Sequence, residues 1–262
     1  MNHLGNNNME RRRIVIIPSH LIKLSFIFMF IASLLSCSEP TEEDYAPYLE
    51  FQSEWNDDAL TSSGFPKGKV SFSNDIQYIG SDSFILYKVA SCQIHLFAAI
   101  DSAGGLERLY WIQYEGYLPR KLLPSPYNLK PGGLKYDYSE DPQREKIAGK
   151  DFYVKPGNFT IDFSDEELQG QNSPDDSDFL HVGRLLFQNG LNLNSEVLSV
   201  RMVHLSPDKS KELMIIYYEL LDDNDERVAA LEDKGIESVN WPEVSRELID
   251  RAIEGINLEF QE

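Results

Sequence analysis

For chemistry the chain offers few histidines, two cysteines and many carboxylates. Downstream of residue 37 the histidines are His95, His181 and His204, with no H-x-x-x-H pair and no C-x-x-C, so no zinc site is expected. Asp222-Asp223-Asn224-Asp225-Glu226 has the carboxylate density of a calcium loop. An EF-hand, however, needs glycine at its sixth position, and Arg227 stands there, so a solvated acidic turn is the better reading. No G-x-S-x-G elbow occurs, and Gly64 to Lys69 (GFPKGK) lacks phosphate-loop spacing. We therefore assign no catalytic residue, no metal ligand and no cofactor. What remains is His95, Trp111, Gln113 and Glu115, a mixture of aromatic and polar groups on two adjacent strand-like segments. Such a set suits a ligand-facing wall, with Trp111 stacking and the others hydrogen bonding. As an acid–base pair, His95 and Glu115 would have to come within hydrogen-bond reach of one another. The plainer alternative is a half-exposed sheet face.

Those residues are positioned by the clearest local pattern in the chain. From Phe84 to Ile100, and above all from Cys92 onward, apolar residues take every second place; Leu106 to Glu115 alternates again. Asp101 to Gly105 lies between as a turn with two glycines, so the pair reads as a β-hairpin. Without a known register, Cys92, Ile94, Leu96, Ala98 and Ile100 are matched with Tyr110, Ile112 and Tyr114. That leaves Gln93, His95 and Phe97 with Leu109, Trp111, Gln113 and Glu115 on the opposite face.

The rest of the chain supplies layers around this hairpin. Short strands are expected at Lys69–Phe72 and Gln77–Ile79. Gly116 to Gly149 holds five prolines and a glycine pair and reads as a long loop, broken by a short strand at Leu134–Tyr138. Short strands flank Pro156-Gly157. A helix is expected from Ser173, with Pro174 in its first turn and Gly190 at its end. Val197–Leu205 and Glu212–Leu220 form a second hairpin, in which Arg201 reads as a paired structural arginine. Leu213 to Tyr218 is apolar on both faces and belongs in the middle of a sheet. A short helix at Arg227–Lys234 precedes a last helix from Asn240, whose apolar stripe runs through Val244, Leu248, Ile249, Ala252, Ile253 and Ile256. Asp101-Ser102-Ala103 and Asn158-Phe159-Thr160 match short glycosylation patterns that occur often by chance.

Arg11 to Cys37 has a different character: basic residues, an apolar run from Leu24 to Leu35, small residues, then one cysteine. About twelve apolar residues suit a signal peptide and fall short of the ~20 that span a bilayer. Leu34-Leu35-Ser36-Cys37 resembles the lipobox of bacterial lipoproteins. The resemblance implies cleavage before Cys37, diacylglycerol on its sulfur and acylation of the new amine. The protein would then be held at a membrane by lipid, in the outer membrane of the bacterial envelope, since Ser38 rather than aspartate follows the cysteine. It also implies that Cys92 is a lone thiol. Without lipidation, a Cys37–Cys92 bridge would remain open. Met9 is an alternative start. Leu106–Pro119 together with Tyr136-Asp137-Tyr138 resembles bacterial proteins of no assigned function and carries no site residue.

The expected organisation is a signal peptide over 1–36, an acidic tether over 37–44, and one α+β domain over 45–262. That domain is an antiparallel sheet built from the two hairpins with two or three packed helices, the C-terminal helix on the sheet. Removing residues 1–36 takes away four basic residues and one acidic one, leaving 20 Lys and Arg against 42 Asp and Glu, a net charge of −22. Such a charge repels nucleic acid. The expected function is non-enzymatic binding of a small molecule or an envelope partner. A hydrolase or lyase working between the 84–115 hairpin and the 116–149 loop, and a structural or adhesion module, are the alternatives.

Overall fold

The computed structural model describes residues 40–50, 52–56, 58–119, 122, 143–169, 177–221 and 240–261. The lipobox segment, the 134–138 strand, the start expected at Ser173, the 222–226 acidic run and the 227–234 helix lie outside the described residues.

Among the described residues, eleven strands form two antiparallel sheets. The smaller joins β1 (Ser53–Trp55), β2 (Leu60–Ser62), β3 (Gly68–Phe72) and β11 (Ile256–Phe260), in that order. The larger contains β4 (Gln77–Leu86), β5 (Ala90–Ile100), β6 (Leu106–Tyr117), β7 (Gln143–Ile147), β8 (Lys150–Ile161), β9 (Ser195–Leu205) and β10 (Lys211–Leu220). Its order is β4-β5-β6-β10-β9-β8-β7, so both expected hairpins are present and β10 is central, as its doubly apolar sequence requires. The helices are α1 (Glu42–Tyr45), α2 (Asp165–Gln169), α3 (Asp178–Gln188) and α4 (Trp241–Glu254). The fold is mostly β, and α4 lies on the large sheet.

One face of the large sheet is closed. Phe97, Tyr110, Ile112, Val200, Met202, Ile215 and Tyr217 pack there against the small sheet and against Leu248, Ile249 and Ala252 of α4. Arg251 of α4 grips Glu219 of β10 with two hydrogen bonds, at 2.6 and 2.9 Å, and Tyr217 donates a third to the same carboxylate at 2.8 Å. Gly255 follows directly: a side chain there would meet the Tyr110 hydroxyl at 2.2 Å. The other face carries Cys92, Ile94, Leu96, Trp111, Met214 and Ile216, with α3 packed over β4 and β5 through Val182 and Leu186. His181 of α3 pins this layer by stacking on Phe84 and meeting Asp82 at 2.7 Å.

Several sequence expectations are corrected, each for a local reason. The single run from Phe84 to Ile100 is two strands, because Tyr87 and Lys88 turn the chain with φ of 48° and 58°. That conformation is uncommon without glycine, so composition gave no sign of it. The end of the supposed 116–149 loop is β7, joined to β8 by a turn at Ala148-Gly149. Pro156 does not split β8, which runs unbroken from Lys150 to Ile161 with Pro156 in register with Val200 of β9. The last helix stops at Glu254, and Ile256 opens β11, whose Ile-Asn-Leu-Glu-Phe alternation has strand period. Within the stretch expected as an acidic tether, Asp44 accepts from the backbone and hydroxyl of Thr41 and closes the turn of α1. The small second sheet was not foreseen.

Candidate functional site

The register of the first hairpin decides which of the four predicted residues meet. Ile100 pairs with Leu106, but Ala99 pairs with Arg108, so Glu107 is an extra residue bulged out of β6. One inserted residue reverses the facing of everything beyond it. Trp111, Gln113 and Glu115 therefore share a face with Leu96, Ile94 and Cys92, while His95 pairs with Ile112 on the opposite face. The expected grouping of His95 with Glu115 is overturned: they lie on opposite sides of the sheet.

On the closed side, His95 is a fastener. Its Nε2 stands 2.8 Å from Ser53 Oγ, a separation that would also suit a serine nucleophile and its base. Burial, however, pushes His95 down to about 4, far from the neutral range a general base needs. Gln93 completes the fastening, its Oε1 accepting from the Gln52 backbone at 3.0 Å and from Ser53 Oγ at 3.3 Å. The pair ties β1 to β5, and Ser53 and His95 also border an open space of about 480 Å³ lined by Trp55, Tyr78 and Ser81.

The α3 side gathers the ionisable groups. Trp111, Gln113 and Glu115 are successive inward positions of β6, and Glu115 sits directly between Cys92 on β5 and Glu212 on β10. The Trp111 indole can only donate, and it does so to Gln113 Oε1 at 3.1 Å, which orients the amide. Gln113, fully buried, must then aim its NH2 at acceptors: Glu115 Oε2 at 3.1 Å, Asp178 Oδ2 at 3.4 Å and Cys92 Sγ at 3.7 Å. Asp178 arrives as the first residue of α3, whose N-cap is Ser177. Burial, then the charges of Glu212 and Asp178, push Glu115 up to about 8, against the opposing pull of Gln113 and Arg201. Glu212 is raised too, first by burial and then by Asp178, with Arg201 Nη2 4.0 Å away drawing it back. Adjacent carboxylates of this kind share a proton, which belongs to the pair. Burial and the Glu115 charge raise Cys92 well above its usual value, so it is a packed thiol rather than a reactive thiolate. Among the described residues no group of His, Cys, Asp or Glu is arranged to hold a metal ion.

Beside this cluster, where α3 stops covering the sheet, lies an open groove of about 490 Å³. Trp111, Met214, Ile216 and Tyr218 make its apolar side, and Phe179 of α3 and Phe159 of β8 wall it. Gly157 and Ser199 face each other across β8 and β9 and leave the sheet surface low between them. Lys155, Arg201 and Asp178 supply its charges. Of the four predicted residues only Trp111 lines the groove; Gln113 and Glu115 orient and charge its surroundings. The sequence reading missed Asp178 and Glu212, which meet β6 only through α3 and through a β6–β10 pairing of residues about a hundred positions apart. No spacing signal spans that distance.

Among the described residues no helix is long and apolar enough to cross a membrane. No protein-family model matches this chain, and no curated protein or solved structure matches it either.

Proposed function

We propose that the protein is a lipid-anchored module of the bacterial envelope that binds a small molecule with an apolar body in the groove over β6, β10, β9 and β8. The observation that carries this reading is an open 490 Å³ space, floored and walled by Trp111, Tyr218, Phe159 and Phe179, on a sheet face that is otherwise covered. Its size lies within the range of small-molecule sites, and its few polar groups converge on an aromatic surface. The anchor rests on the likeness of Leu34-Leu35-Ser36-Cys37 to a lipobox. Several acyl chains hold a protein stably where one holds it only marginally.

Mass spectrometry of the full chain purified from native membranes tests the binding. A small molecule should co-purify in near-stoichiometric amount and be lost from Gly157→Val. A Cβ at Gly157 meets Ser199 Oγ at 3.4 Å, ordinary contact, so a larger side chain fits the strand but occupies the groove. A clean wild-type chain would overturn the reading. Cys37→Ala should abolish labelling by a radioactive fatty acid, and persistent labelling would remove the anchor.

A second reading, an envelope hydrolase or lyase, draws on the proton that Glu115 and Glu212 hold near neutral pH. It requires turnover of a chromogenic ester or glycoside that Glu115→Gln eliminates.

A further inference from the structure

We propose that the protein has a second binding site, a cleft between β1 and β4 that takes a neutral sugar ring, with the ring's C–H face on Trp55 and its hydroxyls on Gln52, Ser81 and Thr61. β1 and β4 are edge strands of the small and the large sheet, and an open space of about 480 Å³ is lined by residues of both. Local sequence sets which side chains reach it. Ser53 and Trp55 are two apart on β1 and share a face. On β4, Tyr78 pairs with Phe97 and Ser81 with His95, while Ile79 is left unpaired at a shift in register. That bulge brings Tyr78 and Ser81, three apart, onto one face of the strand.

The lining matches the chemistry of a sugar. Trp55 is half-buried and held in place, stacked on Tyr78 at 5.5 Å and edge-on to Phe97 at 5.1 Å, so its indole is a rigid platform with little freedom to lose on binding. The floor beside it is polar, since Ser53 and His95 line the cleft and are 4% and 2% exposed. Gln52, Ser63 and Ser81 are exposed around the opening. Thr61 and Ser63 donate to the Glu54 and Gln52 carbonyls at 3.3 and 3.0 Å, which leaves their oxygens able to accept. Amides and hydroxyls both donate and accept, as sugar hydroxyls do. A cation brings donors alone and an anion acceptors alone, so either answers only half of such a set. With His95 neutral, Glu54 is the only charged side chain among the described residues of the lining, in a chain of −19, so an acidic ligand is repelled. An apolar body would strip water from these polar groups and return no hydrogen bond. The volume lies within the range of small-molecule sites.

The test is saturation-transfer NMR on the full chain in discs of neutral lipid, with empty discs as reference. The probes are methyl glucoside, methyl galactoside, methyl mannoside and methyl N-acetylglucosaminide, with glucuronate as the anionic counterpart. At least one neutral glycoside should receive saturation, strongest on the C–H protons of one ring face, and glucuronate should bind severalfold more weakly than the best of them. Trp55→Ala should weaken that binding about tenfold. Ser81→Tyr should abolish it, because Ser81 is exposed and a large side chain there occupies the cleft without entering the core. Gly157→Val, which fills the groove over β8 and β9, should leave it unchanged. Should Trp55→Ala fail to fold, Ser81→Tyr alone decides. The proposal is overturned if none of the four glycosides receives saturation, if glucuronate matches the best of them, or if binding survives Ser81→Tyr. Loss of binding in Gly157→Val would overturn it too, by moving the sugar to the other groove.

Discussion

The two faces of the large sheet solve the same problem in opposite ways. Each buries ionisable groups, yet the face under the small sheet and α4 gives Glu219, His95 and Tyr110 fixed partners, while the α3 face crowds carboxylates together. Arg251 meets Glu219 with paired hydrogen bonds, and His95 is held neutral against Ser53. On the other side Glu115 and Glu212 are cross-strand neighbours with Asp178 close by. Burial favours the neutral form of any group, and for a base and an acid that form lies at opposite ends of the pH scale. One face is therefore a clamp, and the other holds a proton beside an open groove.

Breaking the closed face should cost most. Leu248→Ala removes a fully buried side chain from the α4 contact and should destabilise the protein by about 3 kcal/mol, read by chemical denaturation. Phe179→Ala on the open side, half-buried, should cost about 1 kcal/mol by the same measurement.

The pH limbs sharpen the contrast next. His95 is depressed to about 4, so its folded form prefers to be neutral. Its contribution is complete above the unfolded value near 6.5 and is lost as pH falls through 4. A His95→Gln series should flatten an acid limb of about 2 kcal/mol. Glu115 is the reverse case. A carboxyl raised in the fold leaves stability intact below its unfolded value and loses it as pH rises through about 8. Glu115→Gln should then be neutral at pH 4 and stabilise by about 1 kcal/mol at pH 8, the smaller figure because the proton is shared with Glu212. A gain at pH 4, or a loss at pH 8, would refute the shared-proton description.

The smallest stability effect should come from the groove itself. Phe159 is 39% exposed, and Phe159→Ser should cost less than about 1 kcal/mol while cutting the amount of co-purified small molecule severalfold. A large loss of stability would instead make Phe159 part of the core.

Much of this fold was legible where structure follows a period along the chain. Alternation revealed both hairpins and the doubly apolar run placed β10 at the centre, because those signals are local. What escaped was set by single residues or by distant pairing. A bulge at Glu107 reversed a face, two non-glycine residues at positive φ hid a turn, and Gly255 ended a helix whose apolar stripe ran on. The site was half-visible for the same reason: Trp111, Gln113 and Glu115 sit on one readable strand. Glu212 and Asp178 reach them only once the sheet is assembled.

That assembly has a seam. All seven strands of the large sheet belong to two runs of sequence neighbours, β4-β5-β6 and β7-β8-β9-β10, and the runs join where β6 pairs with β10. Every other pairing in this sheet joins strands adjacent in the chain, so each can zip early, whereas β6 and β10 must find one another across the longest excursion. The last step of folding is therefore expected to be the docking of two preformed halves. Glu115 and Glu212 are paired near one end of that seam, so the halves meet there with like charges facing. Refolding should run faster in mild acid, where the shared proton is already in place, than in alkali, where docking must first capture one.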